Sequence, residues 1–126
     1  MRRLLPTLLF LSSLFCISMA QDNIMHQLAM ETVNKQLHKL SQAIVDSDTE
    51  MIGRLYYFED AKNETGVMQE FGGCKFEVEM IHFIRKNRLE GILHCTKPNG
   101  ERIKYETFLT RNAKSPTDWN ISLRRI

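Results

Sequence analysis

The chain has 126 residues, with 17 basic residues against 15 acidic ones and three cysteines. Arg2 and Arg3 are the only charges before residue 21, so residues 21–126 carry 15 of each sign. That balance excludes nucleic-acid binding through a general basic footprint, which needs clustered uncompensated Lys and Arg, and the length suits one domain rather than two.

The first segment reads as a leader. Arg2 and Arg3 precede an apolar run from Leu4 to Ile17, and Ser18-Met19-Ala20 places small residues two apart, the pattern of a secretory signal peptide over residues 1–20 cut after Ala20. The run is shorter than the roughly 20 apolar residues that a bilayer requires, and Pro6, Ser12 and Ser13 interrupt it. The expectation is a secreted protein, extracellular, with no membrane attachment after cleavage.

From Ile24 to Val45, Met30, Val33, Leu37, Leu40 and Ile44 recur at steps of three and four, which predicts an amphipathic helix. Asp46-Ser47-Asp48 ends it. Ser47 with Glu50 reads as a capping box that opens a second helix, with Met51, Ile52, Leu55, Tyr56 and Phe58 at its apolar positions. Gly66 to Phe71 is compatible with an edge strand cut short by Gly72-Gly73. A third helix is expected over Lys75–Asn87, with Phe76, Met80, Phe83 and Ile84 on one side, acids near its start and bases near its end.

After Gly91 the pattern becomes that of strands. Ile92–Thr96 and Ile103–Leu109 flank Pro98-Asn99-Gly100-Glu101, and a two-residue Asn-Gly turn would pair His94 with Tyr105, Ile92 with Thr107 and Thr96 with Ile103. His94 and Tyr105 would then share one face, with Leu93 and Cys95 on the other. Trp119, Ile121 and Leu123 alternate with polar residues in a last strand. Helices first and antiparallel strands afterwards predict an α+β layer in which helices cover one face of a sheet.

Once Cys16 leaves with the leader, Cys74 and Cys95 remain in a compartment where thiols oxidise, so one disulfide between them is expected. Closing such a loop stabilises a fold by about 3 kcal/mol in the chain-entropy model. The alternatives are two buried free thiols or a papain-type nucleophile, whose local sequence neither cysteine carries. Asn63-Glu64-Thr65 and Asn120-Ile121-Ser122 are glycosylation sequons, and Asn63, in a polar stretch, is the more accessible by pattern. His26, His38, His82 and His94 are scattered without the three- or four-residue spacing of helical zinc ligands, so neither a metal nor another cofactor is expected.

Three segments carry a family resemblance. Ala43-Ile44-Val45-Asp46-Ser47-Asp48-Thr49-Glu50-Met51-Ile52 looks like the link from a long first helix to a short second one in the nuclear transport factor 2-like superfamily. Asp118-Trp119-Asn120-Ile121-Ser122 is similar to that family's closing strand, and Cys74 to Phe83 resembles its small secreted nematode members. The resemblance spans nearly all of residues 21–126. It implies a bent antiparallel sheet and helices enclosing a cone-shaped pocket, which Tyr56, Tyr57, His94, Tyr105 and Trp119 could line. Catalytic members hold an Asp, or an Asp with a His, inside the cone. Here no Asp falls on the face expected for His94 and Tyr105, and Glu106 falls on the opposite one.

The function expected is a secreted, non-catalytic binding module for a small apolar ligand or a protein partner, with a homodimer left open. A cystatin-like cysteine protease inhibitor is the alternative, because Gln69-Glu70-Phe71-Gly72-Gly73 is loosely similar to the cystatin wedge, with Trp119 as a second loop tip. An isomerase or cyclase with His94 as its base comes third.

Overall fold

The computed structural model describes residues 4–59 and 63–126, with side chains described from residue 21 onward. Three helices, α1 (Leu4–Val45), α2 (Thr49–Leu55) and α3 (Glu64–Phe71), pack on a sheet of four strands. The strands are β1 (Lys75–Arg85), β2 (Arg88–Thr96), β3 (Arg102–Arg111) and β4 (Trp119–Arg125), all antiparallel neighbours in the order β1-β2-β3-β4. This is the expected α+β layer. The side chains of the expected leader, residues 1–20, lie outside the described residues.

Over its described side chains α1 buries Ala29, Val33, Gln36, Leu37, Leu40, Ala43 and Ile44, the stripe its periodicity predicts. Ser47 takes a left-handed conformation at φ 52°, which ends α1. Asp48, rather than Ser47, caps α2: its Oδ1 accepts from Met51 N at 3.1 Å. α2 stops at Leu55, so Tyr56 and Phe58 are not helical as expected. Tyr56 instead makes an isolated parallel bridge to Ile121, and Tyr57 N donates to the Ile121 carbonyl at 2.8 Å.

Two expected elements exchange type. Residues 66–71, read as an edge strand, belong to α3, whose first turn is capped by Asn63 Oδ1 accepting from Gly66 N at 2.8 Å. Lys75–Asn87, read as a helix, holds β1. Phe76 and Val78 face the helices before a bulge between Val78 and Met80, and Ile81 and Phe83 face them after it. The extra residue shifts the inward set from even to odd numbers, which mimics helical spacing. Gly91 of β2 accommodates the bulge, since a Cβ there would stand 2.1 Å from the Met80 carbonyl oxygen.

The β2–β3 hairpin also departs from expectation by one residue. Gly100 N donates to the Lys97 carbonyl at 2.9 Å and Lys97 N to the Glu101 carbonyl at 2.8 Å, with Gly100 at φ 87°. This is a three-residue Pro98-Asn99-Gly100 loop, a type I turn closed by a left-handed glycine, and the fixed φ of Pro98 suits its first central position. The pairs are therefore Leu93 with Tyr105, His94 with Lys104 and Cys95 with Ile103. A slip of one residue reverses the faces. Leu93, Cys95, Ile103, Tyr105 and Leu109 enter the core under the helices, and His94 turns to the sheet's open face.

Candidate functional site

The structure disperses the five residues expected to line a cone. Tyr105 is fully buried, donates from its hydroxyl to Glu70 Oε1 at 3.0 Å and packs edge-on against Phe71. Burial, reinforced by the Glu70 carboxylate, pushes its phenol pKa well above the usual value. His94 lies on the open face with Nε2 3.3 Å from Glu79 Oε1, and Lys104 Nζ stands 3.9 Å from the same carboxylate. The His94–Tyr105 polar pair is therefore not formed, and the isomerase reading loses the inward placement of its base. Tyr56 is buried, its hydroxyl donating to the Leu123 carbonyl and accepting from Leu123 N, both at 3.1 Å. Tyr57 is exposed and borders a shallow cleft with Arg88 and Phe108.

The residues of the protease-inhibitor reading are also displaced. Gln69, Glu70 and Phe71 form the last turn of α3, and Phe71 is 1% exposed, so the segment is no projecting hairpin tip. Trp119 is 8% exposed and begins β4 rather than crowning a loop.

Trp119 does border a cavity, on a side of the molecule where no site was expected. A groove of about 410 Å³ runs between the Met25–Thr32 stretch of α1, the β1–β2 turn and the β3 and β4 ends, lined by Met25, Leu28, Thr32, Phe83, Lys86, Arg111 and Trp119. Its volume lies within the range of small-molecule sites. Met25 and Leu28, 45% and 46% exposed, supply one wall from neighbouring turns of α1. Phe83 and Trp119 supply the other, their ring centroids 6.3 Å apart. Thr32 Oγ1 is already spent on the Leu28 carbonyl at 2.7 Å, so the helix side makes no polar demand.

Trp119 is held there by a buried network. Gln36, fully buried on α1, donates from Nε2 to the carbonyls of Leu55 and Trp119, each at 2.9 Å, and its Oε1 accepts from Thr117 Oγ1. Ser115 Oγ adds a 2.7 Å bond to the Trp119 carbonyl. The β3–β4 loop, the start of β4 and the exit of α2 thus converge on the Gln36 amide of α1, which sets the indole at the groove wall.

Cys74 and Cys95 are neighbours and both are free thiols in this structure. Burial, followed by a hydrogen bond with the Cys74 thiol, pushes the Cys95 pKa up to about 12. Cys74 Sγ also lies 3.6 Å from the Glu70 carbonyl at the end of α3. Of the sequon residues, Asn63 is exposed and uses its Oδ1 for the α3 cap. Asn120 is half-buried, and its amide, oriented by its neighbours, donates from Nδ2 to the Arg54 carbonyl at 2.9 Å while Oδ1 accepts from Asn112 at 3.1 Å.

The open face of the sheet carries a second feature. Met80, Ile92 and Phe108 lie side by side across β1, β2 and β3. Ion pairs surround them, among them Arg102–Glu77 at 3.1 Å and Arg124–Glu106 at 2.7 Å, and both Arg88 and Arg124 stack on Phe108. Among the described residues no three His, Cys, Asp or Glu side chains gather in a way that could hold a metal ion, and no helix is long and apolar enough to cross a membrane.

The chain matches no family model, no curated protein and no solved structure.

Proposed function

We propose that the protein is a secreted, non-catalytic binding module that holds a small apolar ligand in the groove of Met25, Leu28, Phe83 and Trp119. The observation that carries this reading is the pair of half-exposed apolar side chains on α1 facing two aromatic rings across an open groove of about 410 Å³. Apolar area of this kind gains free energy when a ligand covers it, at roughly 25 cal/mol per Å². The expected leader supports export. The three-helix, four-strand layer agrees with a nuclear transport factor 2-like domain, with the ligand at the rim beside Trp119 rather than at the His94–Tyr105 position. A secreted chain would carry its glycan on Asn63, where attachment at Nδ2 leaves the capping Oδ1 in place, and not on Asn120, whose Nδ2 is engaged.

Native mass spectrometry of the protein secreted by a eukaryotic host tests the reading. The expected result is a retained small apolar species that Leu28→Glu releases. A ligand-free mass, together with no binding of neutral apolar probes, would exclude it.

A second reading has its own observation, the Met80, Ile92 and Phe108 strip on the open face of the sheet. A protein partner, a second copy of the chain included, would lay an apolar ridge on this strip between the ion-pair rows. Met80→Glu should then abolish a co-purifying partner or a dimer and leave groove binding unchanged.

A further inference from the structure

We infer that the groove's ligand is an amphipath with one carboxylate head and an apolar chain, the chemical class of a free medium-chain fatty acid; this rests on the groove reading above. The two charged residues lining the groove, Lys86 and Arg111, are both cationic. They sit at one end of it, Lys86 in the turn after β1 and Arg111 at the last position of β3, where its backbone N–H donates to the Asn87 carbonyl at 3.0 Å.

Four arginines elsewhere on the surface pair with carboxylates. Arg54 meets Glu50, Arg88 meets Glu90, Arg102 meets Glu77 and Arg124 meets Glu106, all at 3.1 Å or less. Lys86 and Arg111 have no acidic partner among the described residues. Arg111 lies with its guanidinium carbon 5.5 Å from the centre of the Trp119 ring, a cation–π contact that holds the guanidinium at the groove wall. None of its side-chain N–H groups has a hydrogen-bond partner among the described residues. A planar guanidinium of this kind matches a carboxylate with two parallel N–H···O bonds, and the flexible Lys86 ammonium adds a second positive charge to the same end.

The rest of the lining is apolar, Met25, Leu28, Phe83 and Trp119, with Thr32 already bonded to its own helix. Each methylene laid there adds buried apolar area, so chain length sets affinity and the head sets orientation. A neutral ligand would leave both cations unpaired. A cationic one would meet them with like charge.

Isothermal titration of the purified protein with laurate, dodecanol and dodecyltrimethylammonium, each below its micelle concentration, separates these cases. Laurate should bind at least about tenfold more tightly than dodecanol, and the cationic probe most weakly. Lys86→Ala and Arg111→Ala should each lower laurate affinity about tenfold and dodecanol affinity by much less. Equal binding of laurate and dodecanol would overturn the carboxylate inference while the apolar groove stands. Failure of all three probes would overturn both. Circular dichroism and an unchanged thermal midpoint confirm that each variant is folded.

Discussion

Gln36 Nε2 stands 2.9 Å from the Trp119 carbonyl, joining the middle of α1 to the first residue of β4 across 83 positions of sequence. The same amide nitrogen reaches the Leu55 carbonyl, and the amide oxygen takes the Thr117 hydroxyl. Gln36→Leu keeps the volume and takes the amide donor from the Leu55 carbonyl, while the Trp119 carbonyl and the Thr117 hydroxyl keep their bonds to Ser115 and to each other; an unpaired buried group costs about 1–3 kcal/mol. Urea denaturation should show a loss of about 1–3 kcal/mol, and the Trp119 emission should shift to the red in the folded variant. A variant as stable as the parent would mean that water or a rearranged loop replaces the amide.

Gly91 is the residue that lets β1 bulge. Adding a methyl group there brings it to 2.1 Å from the Met80 carbonyl oxygen and 2.9 Å from the Ile81 Cα, both backbone atoms that cannot swing aside. Gly91→Ala should therefore cost about 2 kcal/mol or more, the overpacking range, although alanine is ordinarily tolerated in a strand. Removing Glu79, the bulged residue, should partly restore stability in the Gly91→Ala background.

Tyr105 gives the fold an alkaline limit. Its folded pKa is raised, chiefly by burial and then by Glu70, while the unfolded phenol ionises near pH 10. Above that pH the unfolded state has released a proton that the folded state still holds. Stability then falls as pH rises, with a slope approaching about 1.4 kcal/mol per pH unit for this one group. Measured on protein whose two cysteines are disulfide-bonded, so that Cys95 does not titrate, Tyr105→Phe should flatten the decline above pH 10. An unchanged slope would assign alkaline unfolding to another group.

Cys74 and Cys95 should form one intrachain disulfide when the protein is secreted or treated with an oxidised disulfide, which accepts the two electrons and leaves as two thiols. Non-reducing peptide mapping should find the 74–95 pair, and its closure should stabilise the fold by about 3 kcal/mol. In the reduced protein, burial keeps Cys95 protonated, so alkylation at neutral pH should reach Cys74 first and Cys95 only on unfolding. Equal alkylation of both thiols in the native state would contradict that order.

Elements with one unbroken period were legible in the sequence. The stripe Val33, Leu37, Leu40 and Ile44 gave α1 its buried side, and Ile103 to Leu109 and Trp119 to Leu123 gave β3 and β4. The misreadings have local causes. The bulge beside Glu79 changes which parity faces the core, so Phe76, Met80, Phe83 and Ile84 fall at helical intervals inside a strand. Gly66, unfavourable in a helix interior, sits in the first turn of α3, where the Asn63 cap offsets it. Pro98 selects the three-residue loop over the two-residue one, and that single residue sends His94 to the open face and Tyr105 to the core.

The groove was only partly legible. Trp119 was a candidate from its place in the last strand. Met25, Leu28, Phe83, Lys86 and Arg111 come from α1, the β1–β2 hairpin and β3, and no spacing within one segment links them. The usable signal was local: Ile24, Met25 and Leu28 add apolar surface to α1 beyond the stripe that the core consumes, and such a surplus marks a surface that something else covers.

Trp119 is the only tryptophan in the chain, which makes occupancy of the groove directly measurable. A bromine atom on an alkyl chain quenches indole fluorescence only at contact range, so titration with a bromododecanol reports occupancy of this groove and of no other site. Saturable quenching is expected, one ligand per chain, that Leu28→Glu abolishes while the variant stays folded. Absence of quenching, or quenching that Leu28→Glu leaves unchanged, would contradict it.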